Sequence, residues 1–144
     1  MFKPKADVGQ TCVFSLTRMG LCPYNRYRDV LWGCGYEKAA SAFPPIPVHI
    51  SHIGIFPGGQ VLFGAPERSA ALTALHDACD SGAAQSYPWT PHATILIDKP
   101  ETVCAAVPVL VRSFTPFVGK IIRLHLCAFW PTREIAAMPL TGKQ

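Results

Sequence analysis

An α+β domain, helices packed on an antiparallel or mixed sheet, is what this sequence predicts, and three observations predict it. Strand patterning recurs over Ile46 to Phe56, His92 to Ile97 and Phe117 to Phe129, where side chains alternate between two faces. Between these runs, Leu72, Leu75, His76 and Cys79, and later Val103, Val107, Leu110 and Val111, recur at helical spacing. Finally, 49% hydrophobic against 15% charged residues over 144 positions supplies one real core and excludes wholesale disorder.

Taken in chain order, residues 1–38 are poorly patterned. Thr11 to Thr17 reads as one strand, but Leu21-Cys22-Pro23 and Gly33-Cys34-Gly35 break any long helix. The organised region of this single domain, 1–144, is therefore 39–140. Ile46 to Phe56 is a strand, with Val48 and Ile50 on one face and His49, Ser51, Ile53 and Ile55 on the other. Pro57-Gly58-Gly59 turns the chain, and Gln60 to Gly64 returns as the second arm of a hairpin. A helix runs from Glu67 to Asp80, with Pro66 at its start and Ser81-Gly82 at its end; His76 lies on or beside its buried stripe and is structural. After a loop from Ser81 to Pro91, the strand opened by His92 turns Ala93, Ile95 and Ile97 to the core. Pro100 to about Arg112 is a second helix that Pro108 should kink or shorten. Phe117 to Phe129 makes one or two strands, with Ile122, Leu124, Leu126 and Ala128 opposite Arg123, His125 and Cys127. Glu134 to Leu140 closes the sheet.

The chemistry concentrates at His92-Ala93-Thr94. On a strand, residues two apart share a face, so an imidazole and a hydroxyl donor stand side by side on a rigid element with room for a phosphate above them. The lead-in Trp89-Thr90-Pro91 and the upstream run Ile53-Gly54-Ile55-Phe56-Pro57-Gly58-Gly59 complete the motif set, with Leu72-Thr73-Ala74-Leu75-His76 in the helix that follows and Phe129-Trp130-Pro131 and Met138-Pro139-Leu140 near the end. From about Ala40 to Leu140 the chain resembles the two-histidine (2H) phosphoesterase superfamily, in particular its bacterial 2'-5' RNA ligase-like proteins. That resemblance implies a duplicated α+β fold and metal-independent chemistry on RNA ends, with no cofactor. His92 would be general acid or base, Thr94 would hold a phosphate oxygen, and Trp89 would stack a base or ribose. The family carries two His-x-Thr/Ser motifs, the first normally well upstream of the Gly-x-Phe-Pro hairpin. Here no histidine precedes His49. The first lobe is therefore divergent or truncated, and His49-Ile50-Ser51 is the candidate second pair.

Two imidazoles suit this chemistry because a free imidazole, with a pKa of about 6.5, serves as acid or base near neutral pH. One takes a proton from the attacking water or ribose hydroxyl while the other protonates the leaving oxygen. Loss of one such group typically costs on the order of 10²–10⁴-fold. The expected activity is hydrolysis of a 2',3'-cyclic phosphate, or 2'-5' RNA ligation, on RNA or nucleotides. The alternative is a non-catalytic remnant that still binds RNA or nucleotides.

Other features narrow the class. A formal charge of +4 suits RNA ends or small cyclic nucleotides without identifying one. With neither a membrane-length apolar run nor a signal-peptide core, the expectation is a cytoplasmic monomer. The six cysteines show no Cys-x-x-Cys, and Cys79, Cys104 and Cys127 read as small core residues. No metal site is expected, since His49 and His52, three apart on a regular strand, should point to opposite faces.

Overall fold

The computed structural model of the protein describes residues 11–15, 35–79, 88–128 and 133–143. In chain order these form β1 (Thr11–Ser15), α1 (Tyr36–Ala42), β2 (Ile46–Ile55), β3 (Val61–Pro66), α2 (Ala70–Cys79), β4 (Ala93–Ile97), α3 (Pro100–Ser113), β5 (Phe117–Ala128) and β6 (Arg133–Pro139). The strands make one mixed sheet in the order β1-β5-β2-β3-β4, with β6 also on β5. Only β1 and β5 run parallel among the described pairs. β2 pairs Phe117 to Ile121 of β5, and β6 pairs Arg123 to Ala128, so the two occupy successive stretches of one edge. The architecture is α+β, as the patterning predicted.

One face of this sheet carries the main core. Ile46 and Val48 of β2 and Ile121, Leu124 and Leu126 of β5 pack with Tyr36, Ala39 and Ala40 of α1 and Leu72, Leu75 and Cys79 of α2. Burying such side chains contributes roughly 1.5–3 kcal/mol each for the large aliphatics. Leu140 closes the cluster, and the segment after β6 is tied to α1 by hydrogen bonds from the amides of Thr141 and Gly142 to the carbonyls of Ala40 and Phe43 (2.9 Å each).

α1 was not expected. Gly35, with φ of 74°, starts it in a left-handed conformation that side chains disfavour, and its carbonyl accepts the first helical bond from Ala39 at 2.7 Å. A glycine that reads as a breaker is here the entry to a helix spanning positions 38 and 39. α2 begins at Ala70, later than predicted, because Pro66 ends β3 and the Glu67 amide still bonds the His49 carbonyl of β2 (2.9 Å). Ser69 then caps the helix through its Oγ to the Leu72 amide (3.1 Å). Asp80 and residues 81–87 lie outside the described residues, and so do Thr17 and Phe129.

In α3 only Val103 of the predicted stripe is buried, and Val111 is 57% exposed. The helix continues past Pro108 to Ser113. Cys79 is buried as predicted, whereas Cys104 is exposed on α3; nothing is described of the Cys127 side chain.

Three bulges correct the predicted strand faces. In β2, Ile50 pairs Pro66 but His52 pairs Ala65, leaving Ser51 as the extra residue. Ile53 therefore pairs Gly64 on the core face rather than sharing the face of His49. In β4, Thr94 pairs Phe63 and Leu96 pairs Leu62, so Ile95 is extra. Ile95 is 49% and Ile97 70% exposed rather than core-facing, as befits an edge strand. Against β1, β5 likewise carries an additional residue between Ile121 and Leu124. Both of these are buried, and Ile122 is only partly so.

Candidate functional site

Opposite the main core, the sheet presents a second face built on β2, β3 and β4. Residues paired across antiparallel strands point to the same side, so the pairs His52 with Ala65, Gly54 with Phe63 and Phe63 with Thr94 all belong to this face. Gly54 is required here: a Cβ would lie 2.6 Å from Phe63 Cζ, so the Phe63 ring covers the space that glycine leaves empty. Phe56, just past β2, stacks on Phe63 with ring centroids 4.3 Å apart.

His92 rests on this aromatic pair. Its ring meets Phe56 edge-on at 4.8 Å and Phe63 at 5.8 Å, while the side chain stays exposed. Its Nδ1–H donates to the carbonyl oxygen of Thr90 at 2.9 Å. A carbonyl only accepts, so in the neutral ring this bond leaves Nε2 as a lone-pair acceptor turned away from the backbone. Thr94 lies exposed two residues on. The strand thus carries a braced imidazole and a free hydroxyl on one side.

What holds the lead-in was only partly legible. The Trp89 ring stacks on His76 of α2, centroids 4.0 Å apart and planes 24° from parallel. Arg68 lies over the Trp89 ring, its guanidinium carbon 5.5 Å from the centroid, and donates to the Trp89 carbonyl. Trp89 is partly buried against the core cluster. Arg68 stands 21 positions before its partner, so no local pattern announces the contact. His76 is buried and paired with Asp77 at 3.1 Å, in keeping with a structural role.

His49 occupies a different environment. Its Nδ1 lies 3.1 Å from Glu67 Oε1, and it lines a hollow of about 210 Å³ with Pro47, Val48, Glu67, Arg68, Ser69 and Val118. Neither His92 nor Thr94 lines that hollow. Ser51 sits in the bulge and is hydrogen-bonded through Oγ to His52 Nδ1 at 2.9 Å. The bulge also overturns the expectation for His49 and His52. With one extra residue between them, both lie on the second face rather than on opposite ones. Among the described residues, no group of three or more His, Cys, Asp and Glu is gathered so as to hold a metal ion, and no helix is long and apolar enough to cross a membrane.

Comparison with known families agrees with the motif set and the fold. No curated protein matches the chain significantly. Residues 35–129, from the glycine that starts α1 to one residue past β5, match the 2'-5' RNA ligase superfamily. That span contains α1, the hairpin, the two longer helices and the His92 strand. The chain belongs to the 2'-5' RNA ligase superfamily.

Proposed function

We propose that the protein acts on the phosphodiesters of RNA ends or small cyclic nucleotides as a metal-independent phosphoesterase, with hydrolysis of a 2',3'-cyclic phosphate as the reaction to test. The observation that carries this reading is His92 itself. An exposed imidazole whose Nδ1–H is committed to the Thr90 carbonyl, braced on Phe56 and Phe63, offers Nε2 for proton transfer in a fixed orientation. Thr94 on the same face would donate to a non-bridging phosphate oxygen. Trp89 lies near enough in sequence to border a bound base, although its ring is already engaged by His76 and Arg68.

The decisive assay is turnover of a 2',3'-cyclic nucleotide by purified protein, with His92→Ala expected to lose on the order of 10²–10⁴-fold in kcat. Undiminished turnover in a folded His92→Ala protein overturns the assignment. A second reading, a nucleotide-binding protein without turnover, is favoured by the engagement of His49 with Glu67 and of Ser51 with His52. It predicts binding of an oligonucleotide ending in a cyclic phosphate in preference to a 3'-hydroxyl end, with no product formed.

A further inference from the structure

We infer that the outward face of α3 is a self-association surface, on which a second copy of this chain lays its own α3 antiparallel across a twofold axis. The helix runs Pro100–Ser113, with Val103 fully buried and Ala106, Val107 and Leu110 on the same inner side partly so. The opposite side is different. Glu101, Cys104, Ala105, Pro108, Val109 and Arg112 recur at i, i+3, i+4, i+7, i+8 and i+11, which places them in one stripe. All six are exposed, and Val109 is 69% so.

A helix with one side in water ordinarily carries charged or amide side chains on that side. Here positions 103–111 hold no charged, amide or hydroxyl side chain, and the Cys104 thiol is their one weak hydrogen-bonding group. Cys104, Ala105, Pro108 and Val109 therefore form an apolar strip in the middle of the exposed stripe, bordered by Val111 at 57% exposure. The charges stand at its ends, Glu101 in the first turn and Arg112 in the last. Each complements the dipole of its own helix. At 1.5 Å per residue they lie about 16 Å apart, too far to pair with each other.

A twofold axis between Ala106 and Val107 sets Glu101 level with the partner's Arg112 and Arg112 level with the partner's Glu101, so both ends close on opposite charges. Between them, Cys104 comes level with the partner's Val109 and Ala105 with the partner's Pro108. A small side chain meets a larger one at each level, which lets two helix axes approach within the usual range of about 8–10 Å. A parallel pair would instead set Glu101 against the partner's Glu101 and Arg112 against the partner's Arg112. Exposed ion pairs add little net affinity, so the charges fix orientation and register while burial of the apolar strip supplies the attraction. One helix face is small for a specific interface, below about 800 Å² per partner, and the dimer is expected to dissociate in the micromolar range. A reversible dimer thus stands in place of the monomer expected from the sequence.

Sedimentation equilibrium of the full chain from about 5 to 500 µM, a span that covers weak interfaces, tests this. The parent should pass from monomer to dimer with concentration. Val109→Asp, at a position too exposed to support the fold, should weaken association at least about 10-fold by placing a carboxylate in the strip twice per dimer. Glu101→Lys should weaken it by about 3- to 10-fold, because symmetry creates two like-charge contacts. Adding Arg112→Glu to the same chain should return the dissociation constant to within about threefold of the parent. Circular dichroism confirms that each variant is folded, the double swap included, since it opposes the helix dipole. A parent that stays monomeric throughout overturns the proposal, whatever else covers the face. A dimer that Val109→Asp leaves intact, or a folded double variant that associates no more tightly than Glu101→Lys alone, overturns it as well.

Discussion

Gly54 shows how much one missing side chain organises. A methyl at this position would overlap three atoms of the Phe63 ring, and that ring supports both Phe56 and His92. Gly54→Ala should therefore destabilise the fold by about 1–3 kcal/mol, as overpacking does, and lower turnover as His92 loses its bracing; urea denaturation and kinetics on the same preparation check both. Thr94→Ala should behave differently, since its exposed hydroxyl supports nothing described. Its expected effect is weaker phosphate affinity with unchanged stability, and an unaltered KM and kcat would reduce Thr94 to a strand residue. Cys79 gives a residue-scale effect of pH. Burial pushes its thiol up from 9.0 to about 11, so between those values the unfolded chain releases a proton that the folded chain retains. Stability should be fully present below pH 9 and decline by about 2–3 kcal/mol as the pH rises to 11. Chemical denaturation at pH 8 and pH 10.5 measures it, and Cys79→Ser should flatten the difference.

At the scale of elements, the segment from Pro88 to His92 is a strut rather than a free loop. Trp89 is held by stacking on His76 of α2 and by Arg68, which lies over its ring and also bonds its carbonyl. Trp89→Ala should cost about 1–3 kcal/mol, below the 3–5 typical of a fully buried Trp, and should lower kcat by loosening His92. A base-stacking role would instead raise KM and leave the melting temperature alone, so the pair of measurements separates the two. This clasp was half legible. The periodicity of α2 put His76 on a buried stripe and the lead-in residues announced a turn, but Arg68 and Trp89 meet only through tertiary packing. The strands teach a similar lesson. Ile46 to Phe56 reads as a strand with Val48 and Ile50 on one face; the strand ends at Ile55, and both residues are buried. The bulge at Ser51 could not be read, because an unpaired residue is a property of two strands and the sequence of one carries no mark of it. That is why Ile53 was assigned to the wrong face and why His49 and His52 were expected on opposite ones. α1 was missed for a local reason: a glycine at φ of 74° opens it, and glycine more often ends helices than starts them.

If RNA ends bind the second face, association should weaken with salt, log K falling by about 0.7 per decade for each phosphate contacted on a single strand. A short end-binding site touches few phosphates, so a slope shallower than about −3 is expected; equal, salt-independent binding of cyclic-phosphate and 3'-hydroxyl ends would remove the nucleic-acid reading. The two-histidine resemblance rested on His92 and the hairpin, both of which lie within the span matched by the family. Deleting residues 140–144 should also be costly. It removes Leu140 from the core and the bonds to Ala40 and Phe43, and a loss of about 2–5 kcal/mol, as for a buried Leu truncated to Ala, is the lower expectation.

The sheet order also sets a timetable for synthesis. β5 lies between β1 and β2, yet it follows β2, β3, β4 and α3 in the chain and is made after them. Until Phe117 to Ile121 emerge, Ile46 to Ile50 present a strand edge of N–H and C=O groups with no β5 to meet them, and β1 waits on the same partner. At roughly 5–20 residues per second, the growing chain carries that adhesive edge for seconds. The expectation is that β2, β3 and β4 wait on β5 before the sheet can close. A chain arrested after Thr115 should aggregate or remain chaperone-bound, whereas extension through residue 143 should release it folded; equal solubility of the two would show that β5 is not the closing strand.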